Sequence, residues 1–339
     1  MKSRNRLIAF FSAASIFVLI LDGKTALEGA TTGIDLCIRT LIPALFPFLI
    51  LSSLLTRALA GQPMKLLQPL CSKIGIPQGA ESLLAISLLG GYPIGAQSIA
   101  LLHREGKITT SQATHLLAFC NNAGPAFIFG VLGSMFSNPR TPWILWFTHI
   151  LSALFVGLCV VKPEPIGIVH QNPSKVQLTV VLSQSIKTMA LICGWVICVK
   201  IILSFIELWF LKYFSLRIQI IISGILELSN GCLRLSEVES EATRFLIATF
   251  LLSLGGLCVT LQTASVVDGI PMKLYFPGKI LQCSISLVLS YVFQSILFGL
   301  SYYNSSLLFI ISIAISIAIA SFFQYSKKTV EFRRPLMYN

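Results

Sequence analysis

The sequence predicts an all-α polytopic membrane protein, with about eight transmembrane helices plus two re-entrant hairpins in inverted repeats. Three observations carry that prediction. Of the 339 residues, 55% are hydrophobic and 11% charged, too little charge to keep the surface of a soluble domain wet. The apolar residues fall in blocks of roughly 15 to 20, close to what crosses a hydrocarbon core of about 30 Å. Two further apolar stretches are interrupted at their middles by glycine, proline or polar residues. No polar segment is long enough for a soluble domain, so 1–339 reads as a single membrane domain.

The spans expected, in order, are 7–22, 34–57, 113–135, 141–161, 177–210, 242–268, 278–300 and 305–323. Lys2, Arg4 and Arg6 precede the first apolar block, as in a signal peptide. No small-residue cleavage site follows at Asp22-Gly23-Lys24, so a retained first helix is expected. The stretch 80–103 breaks at Gly90-Gly91-Tyr92-Pro93-Ile94-Gly95, and 218–236 breaks near Glu227-Leu228-Ser229-Asn230-Gly231. Half of such a stretch cannot cross a bilayer. Both read as re-entrant hairpins, which survive at membrane depth only where protein or a wet cavity satisfies the exposed backbone.

Charge sets the expected topology. The formal net charge of +12 is scattered among short loops, which argues against a nucleic-acid partner and for contact with the headgroups of the lipid bilayer. With the N-terminus inside, inner loops and helix ends hold 16 of the 25 Lys and Arg residues, Lys279 among them. The outer ones hold seven, and Lys187 and Lys200 fall within a span. The bias puts both termini in the cytoplasm and makes the two hairpins enter from opposite sides. The order helix, hairpin, interrupted helix then occurs twice, in a first repeat 33–135 and an inverted second repeat 177–268. Helix 141–161 connects them, and 278–323 forms C-terminal helices. Paired broken segments in inverted repeats point to a binding site near the midplane.

The candidate binding residues cluster at the breaks. At the first hairpin tip, Gly91 permits a sharp reversal and Pro93 ends the half-helix, with Tyr92 and Gln97 beside them. The half-helix that follows offers free N–H groups and a positive dipole end suited to an anion. The adjacent amides Asn121 and Asn122 precede Pro125, which frees a backbone carbonyl. Glu227 is an intramembrane carboxylate beside Asn230, expensive in lipid and suited to binding a cation, carrying a proton or orienting a solute. Its partner helix is loosened at Gly256 and offers Gln262 and Ser265. Each break also admits a packing role, and Glu227 an ion pair with Lys187 or Lys200. His103 and His115 read as solvated, and His149 as a packing residue. The nine cysteines contain no CxxC pair, so neither disulfides nor a metal centre is expected. HExxH, GxSxG and Walker-type loops do not occur, and no enzymatic activity is expected.

These same stretches resemble a known family. Gly90-Gly91-Tyr92-Pro93-Ile94-Gly95-Ala96, Arg104-Glu105-Gly106-Lys107-Ile108 and Asn121-Asn122-Ala123-Gly124-Pro125 look like the sporulation integral membrane proteins of the YlbJ type. Glu227-Leu228-Ser229-Asn230-Gly231 and the run 254–262 fit the second half, so the resemblance covers about residues 30–300. It implies a nucleoside-recognition (Gate) domain and a distant similarity to concentrative nucleoside transporters. It further implies a multi-pass protein of the cell membrane, associated with the forespore of a spore-forming bacterium, that passes dipicolinic acid. Tyr92-Pro93 stands where the nucleoside transporters carry a glutamate-bearing motif, and a small dicarboxylate suits the half-helix end and the amides better than a nucleoside does.

The expected function is therefore a membrane transporter for a small polar, anionic solute. A nucleoside transporter and a non-transporting, partner-binding sporulation protein are the alternatives. No cofactor is expected. A coupling cation, Na+ or H+, and an oligomer are compatible with the sequence.

Overall fold

The computed structural model describes residues 2–59, 64–160 and 177–298, with Lys162 and Ile313 as isolated positions. All regular structure among the described residues is helical. The expected span 305–323 lies outside them.

Helix α1 (Lys2–Leu21) ends at Asp22, which caps α2 (Gly23–Leu36) by accepting from the Thr25 N–H at 3.0 Å. A π-helical turn, Cys37–Leu41, joins α2 to α3 (Ile42–Leu59), so one helix runs from Gly23 to Leu59. Residues 23–33, expected to link two spans, are thus helical. Their charges, Lys24 and Glu28, are exposed and pair along the helix at 3.9 Å, as Arg39 and Asp35 do further on at 3.7 Å. Gly29 and Gly33, one turn apart, lie against Ile201 and Ile197 of α10 (Leu178–Trp209). Small residues at this spacing let helix backbones approach closely.

The next elements are short: α4 (Gln68–Ile74), α5 (Ser82–Leu89), α6 (Ile94–Arg104), α7 (Thr110–Leu117) and α8 (Pro125–Phe127), the last continuing as a π turn and a 3-10 turn to Met135. Then come α9 (Thr141–Cys159), α10 (Leu178–Trp209), α11 (Leu216–Leu226), α12 (Leu228–Leu233), α13 (Glu241–Leu254), α14 (Gly256–Val266) and α15 (Tyr275–Phe298).

Among the described residues, five helices are long and apolar enough to cross a membrane: Gly23–Leu59, Thr141–Cys159, Leu178–Trp209, Glu241–Val266 and Tyr275–Gln294. Of the other expected spans, 113–135 is cut into α7 and α8 by a non-helical segment, and the apolar part of α1, Asn5–Leu21, is shorter. Large apolar side chains such as Trp143, Phe147, Leu191 and Ile202 are exposed on the outer faces of α9 and α10, a pattern that suits lipid rather than water.

The two halves repeat one motif of close approach. In the first, α5 packs on α6, and their connection lies against the break after α7: a Cβ on Gly124 would sit 2.7 Å from the Gly91 nitrogen. In the second, α11 packs on α12, and the break after α13 lies against α11: a Cβ on Gly256 would sit 2.8 Å from the Ile225 carbonyl oxygen. Helices α9, α13 and α15 pack together behind the site, tied by a serine ladder in which Ser253 donates to Ser286 at 2.8 Å and Ser286 to Ser152 at 2.7 Å.

Candidate functional site

Three of the breaks, and the helix that follows the fourth, meet around one cavity. The tip between α5 and α6 contributes Gly91 and Tyr92, and the broken segment before α8 contributes Ala123 and Gly124. The junction of α11 and α12 contributes Glu227 and Ser229, and α14 contributes Val259 and Gln262. Leu41 and Leu45 close one side, and Ile192 and Val196 of α10 another. The space open to a water-sized sphere is about 40 Å³. That holds a few waters and falls well short of the about 300–1,000 Å³ usual for a small-molecule pocket.

Local chemistry explains each break. Pro125 begins α8, and the preceding residues 119–124 leave the helix. Gly255 has φ +75° and Gly256 φ +79°, a left-handed pair that separates α13 from α14 without a Cβ penalty. Glu227 leaves α11 in extended conformation and caps α12, its two carboxylate oxygens accepting from the Ser229 N–H at 3.1 Å and the Asn230 N–H at 2.6 Å.

The expected anion-binding end of α6 is already occupied by the protein. Its N–H groups at Ile94, Ala96 and Gln97 donate to Gly91 O at 2.8 Å, Asn121 Oδ1 at 3.4 Å and Pro93 O at 2.9 Å. Gly95 lies directly against the Cys120 carbonyl oxygen.

The predicted site residues therefore divide. Gly91, Tyr92, Glu227 and Gln262 line the cavity. Asn121 and Asn122 are fully buried behind it, Asn121 donating to Thr263 of α14 at 2.8 Å and Asn122 to Phe119 O at 2.7 Å. Pro93 caps α6, Pro125 opens α8 and Gly256 opens α14. Gln97 donates to Thr188 of α10 at 2.9 Å, and Asn230 accepts from Lys200 at 2.9 Å. Ser265 lies away from the cavity, on an exposed groove beside Lys187, where it accepts from the Trp195 indole at 2.8 Å. Of the two lysines expected as ion-pair partners of Glu227, Lys200 donates to Asn230 instead and Lys187 is exposed.

Two residues that the sequence reading placed elsewhere support the site. Lys279, read as an inner helix-end charge, is 1% exposed and sits at the first break. Its ammonium donates to Asn121 O, to Gln282 Oε1 at 2.8 Å and to Tyr92 OH at 3.1 Å, with Asn122 Oδ1 at 3.5 Å. It also lies 4.9 Å from the Tyr92 ring centroid. His149 accepts from the Ala123 N–H at 3.0 Å, which holds the backbone of the broken segment in place. His115, read as solvated, is 1% exposed and bonds Ile74 O at 2.9 Å. The sequence signal for Lys279 was its spacing from Gln282, Ser286 and Ser290, which puts a run of polar residues on one face of an apolar-rich helix.

No family model matches the chain, and no solved structure matches it. The chain is similar to the sporulation integral membrane protein YlbJ of Bacillus subtilis (strain 168). The two are 26% identical over 328 residues, covering 83% of this chain and 80% of YlbJ. The likeness to YlbJ takes in both hairpin segments and both breaks by its extent. With five helices able to span a bilayer, it supports a multi-pass membrane location for this chain.

Proposed function

We propose that this protein is a membrane transporter for a small polar, anionic solute, which the cavity at these breaks admits by alternating access. The observation that carries the reading is the convergence of three of the breaks, and of the helix that follows the fourth, on one cavity bearing Tyr92, Glu227 and Gln262. Broken backbone at membrane depth is costly and is retained where it lines a site. In this reading the anion enters with a cation or proton that offsets Glu227 on the cavity wall, while Lys279, buried behind Tyr92 with no carboxylate within 4.0 Å among the described residues, keeps the opposite side positive. At about 40 Å³ the cavity corresponds to a closed state, and loading requires the two hairpins to part from the broken helices.

The similarity to YlbJ supports a role in sporulation, and a forespore-associated membrane and dipicolinate as the solute are what the family resemblance implies. In this proposal α5–α6 and α11–α12 are oppositely entering re-entrant hairpins of a Gate-like inverted repeat, and both termini are cytoplasmic. Uptake of radiolabelled dipicolinate and of nucleosides into proteoliposomes tests it. Dipicolinate uptake above protein-free vesicles supports the reading. Nucleoside uptake alone redirects it, and no uptake of either supports a non-transporting role.

A further inference from the structure

The contacts of Lys279 go beyond adding charge. Four oxygens surround its ammonium, and none belongs to a carboxylate: the Asn121 carbonyl, Tyr92 OH, Gln282 Oε1 and Asn122 Oδ1. They come from three places: the tip between α5 and α6, the break after α7, and the first turns of α15. A lysine ammonium has three protons and no lone pair; the Asn121 carbonyl, Gln282 Oε1 and Tyr92 OH match them with neutral acceptors, and Asn122 Oδ1 at 3.5 Å is a weaker fourth. Carbonyl, amide and hydroxyl oxygens are also what replaces the hydration shell of a small monovalent cation, and unwound helix segments supply such oxygens readily. Lys279 is 1% exposed, so its charge is held where a free ion would first have to lose its water.

We propose that Lys279 is a built-in monovalent cation, whose tethered ammonium ties the first hairpin tip to the neighbouring break and does there what a mobile bound cation would otherwise do. Three consequences follow. The wild-type cage has no vacancy for Na+ or K+. Removing the ammonium while leaving its oxygens creates a site for a small monovalent cation. The tip that carries Tyr92, one wall of the central cavity, loosens when the charge is lost. The inference rests on the transport reading only for the purpose of the tie, since occupancy of the cage can be measured without any solute.

The test uses the full chain purified in detergent, with thermal unfolding followed in choline chloride and then with added NaCl, KCl or methylammonium chloride. Wild type is expected to respond equally to all salts. Lys279→Ala is expected to lose several degrees of Tm in choline and to regain them saturably with methylammonium or Na+. A folded Lys279→Ala protein with no more cation response than wild type overturns the proposal, as does a saturable Na+ response in wild type that Lys279→Ala leaves unchanged. Where Lys279→Ala does not purify folded, Lys279→Met fills the volume without the charge. In that background an Ala123→Cys reporter on the cavity wall is expected to react with maleimide several-fold faster than in the Lys279 parent, as resolved by mass spectrometry at that position. Equal rates overturn the proposal. Because neither readout involves uptake, a protein that moves no dipicolinate yet shows the cation response defeats the transport reading and leaves this inference standing.

Discussion

Gly124→Ala tests the architecture of the site most directly. Gly124 has φ −91°, a value any residue adopts, so its backbone angle demands nothing special. Space does: an added Cβ would sit 2.7 Å from the Gly91 nitrogen, 2.8 Å from the Gly91 Cα and 3.1 Å from the Gly90 carbonyl carbon. All three are backbone atoms, so no side chain can swing away. To reach ordinary contact near 3.4 Å, the hairpin tip and the broken segment must part by about 0.7 Å. Overpacking of this kind costs about 1–3 kcal/mol, offset by about 0.4–1 kcal/mol from the stiffer unfolded chain. A net loss of about 1–2 kcal/mol corresponds to a fall in Tm of roughly 1–3 °C, at about 2.1 cal/mol/K of unfolding entropy per residue in a chain of this length. Gly130→Ala, six residues on, is the control: Gly130 has nothing within 4 Å of a Cβ, so it is expected to hold or raise Tm. Uptake should fall in Gly124→Ala, because the cavity wall itself has moved, and stay normal in Gly130→Ala. If the two variants share one Tm and one uptake rate, the tip and the break are not packed as described.

Glu227→Gln is expected to abolish uptake and also to cost about 1–3 kcal/mol, since glutamine has one acceptor oxygen for the two N–H groups that the carboxylate now satisfies; a wild-type Tm together with wild-type uptake counts against both roles. Asn230→Leu should strand the Lys200 ammonium, whose remaining partner Glu207 is 3.9 Å away, and Lys200→Met in the same chain should recover stability; a double-mutant cycle in Tm with no coupling refutes the pairing. Ser265→Ala should leave uptake unchanged, because Ser265 bonds Trp195 on an exposed groove outside the cavity; loss of uptake in a folded Ser265→Ala protein would place the groove on the solute path.

The elements that read clearly from sequence are those whose signal is local. The spans 141–161, 177–210, 242–268 and 278–300 correspond to Thr141–Cys159, Leu178–Trp209, Glu241–Val266 and Tyr275–Phe298, because a long apolar run has few alternatives to a helix. The breaks at Gly90–Pro93, at Asn121–Gly124, before Glu227 and at Gly255 were legible for the same reason, since glycine, proline and charge interrupt such runs. What stayed hidden depends on partners far along the chain. Residues 23–33 look like a polar link until their charges pair at a spacing of four and Gly29 and Gly33 meet α10. Lys279, beside Gly278 at the start of an apolar stretch, has the same local appearance as a topology-setting charge. Only the arrival of Asn121, Asn122 and Tyr92, more than 150 residues earlier in sequence, turns it into a buried cation.

The breaks also tie distant parts of the chain together. A broken helix leaves backbone carbonyls without intrahelical partners, and buried carbonyls must be satisfied somewhere. In the second half the carbonyl of Leu252, near the end of α13, accepts from Tyr92 OH at 3.0 Å. In the first half the carbonyl of Asn121 accepts from Lys279. Lys279 in turn donates to Tyr92 OH at 3.1 Å. The two freed carbonyls are therefore the ends of one chain of bonds, running from Leu252 through Tyr92 and Lys279 to Asn121. Each of these two carbonyls is satisfied from a distant segment: Leu252 by the tip between α5 and α6, and Asn121 by α15. One tyrosine and one lysine thus serve both breaks. A motion that opens one break must stretch a bond held by the other, which gives the halves a physical reason to move in concert.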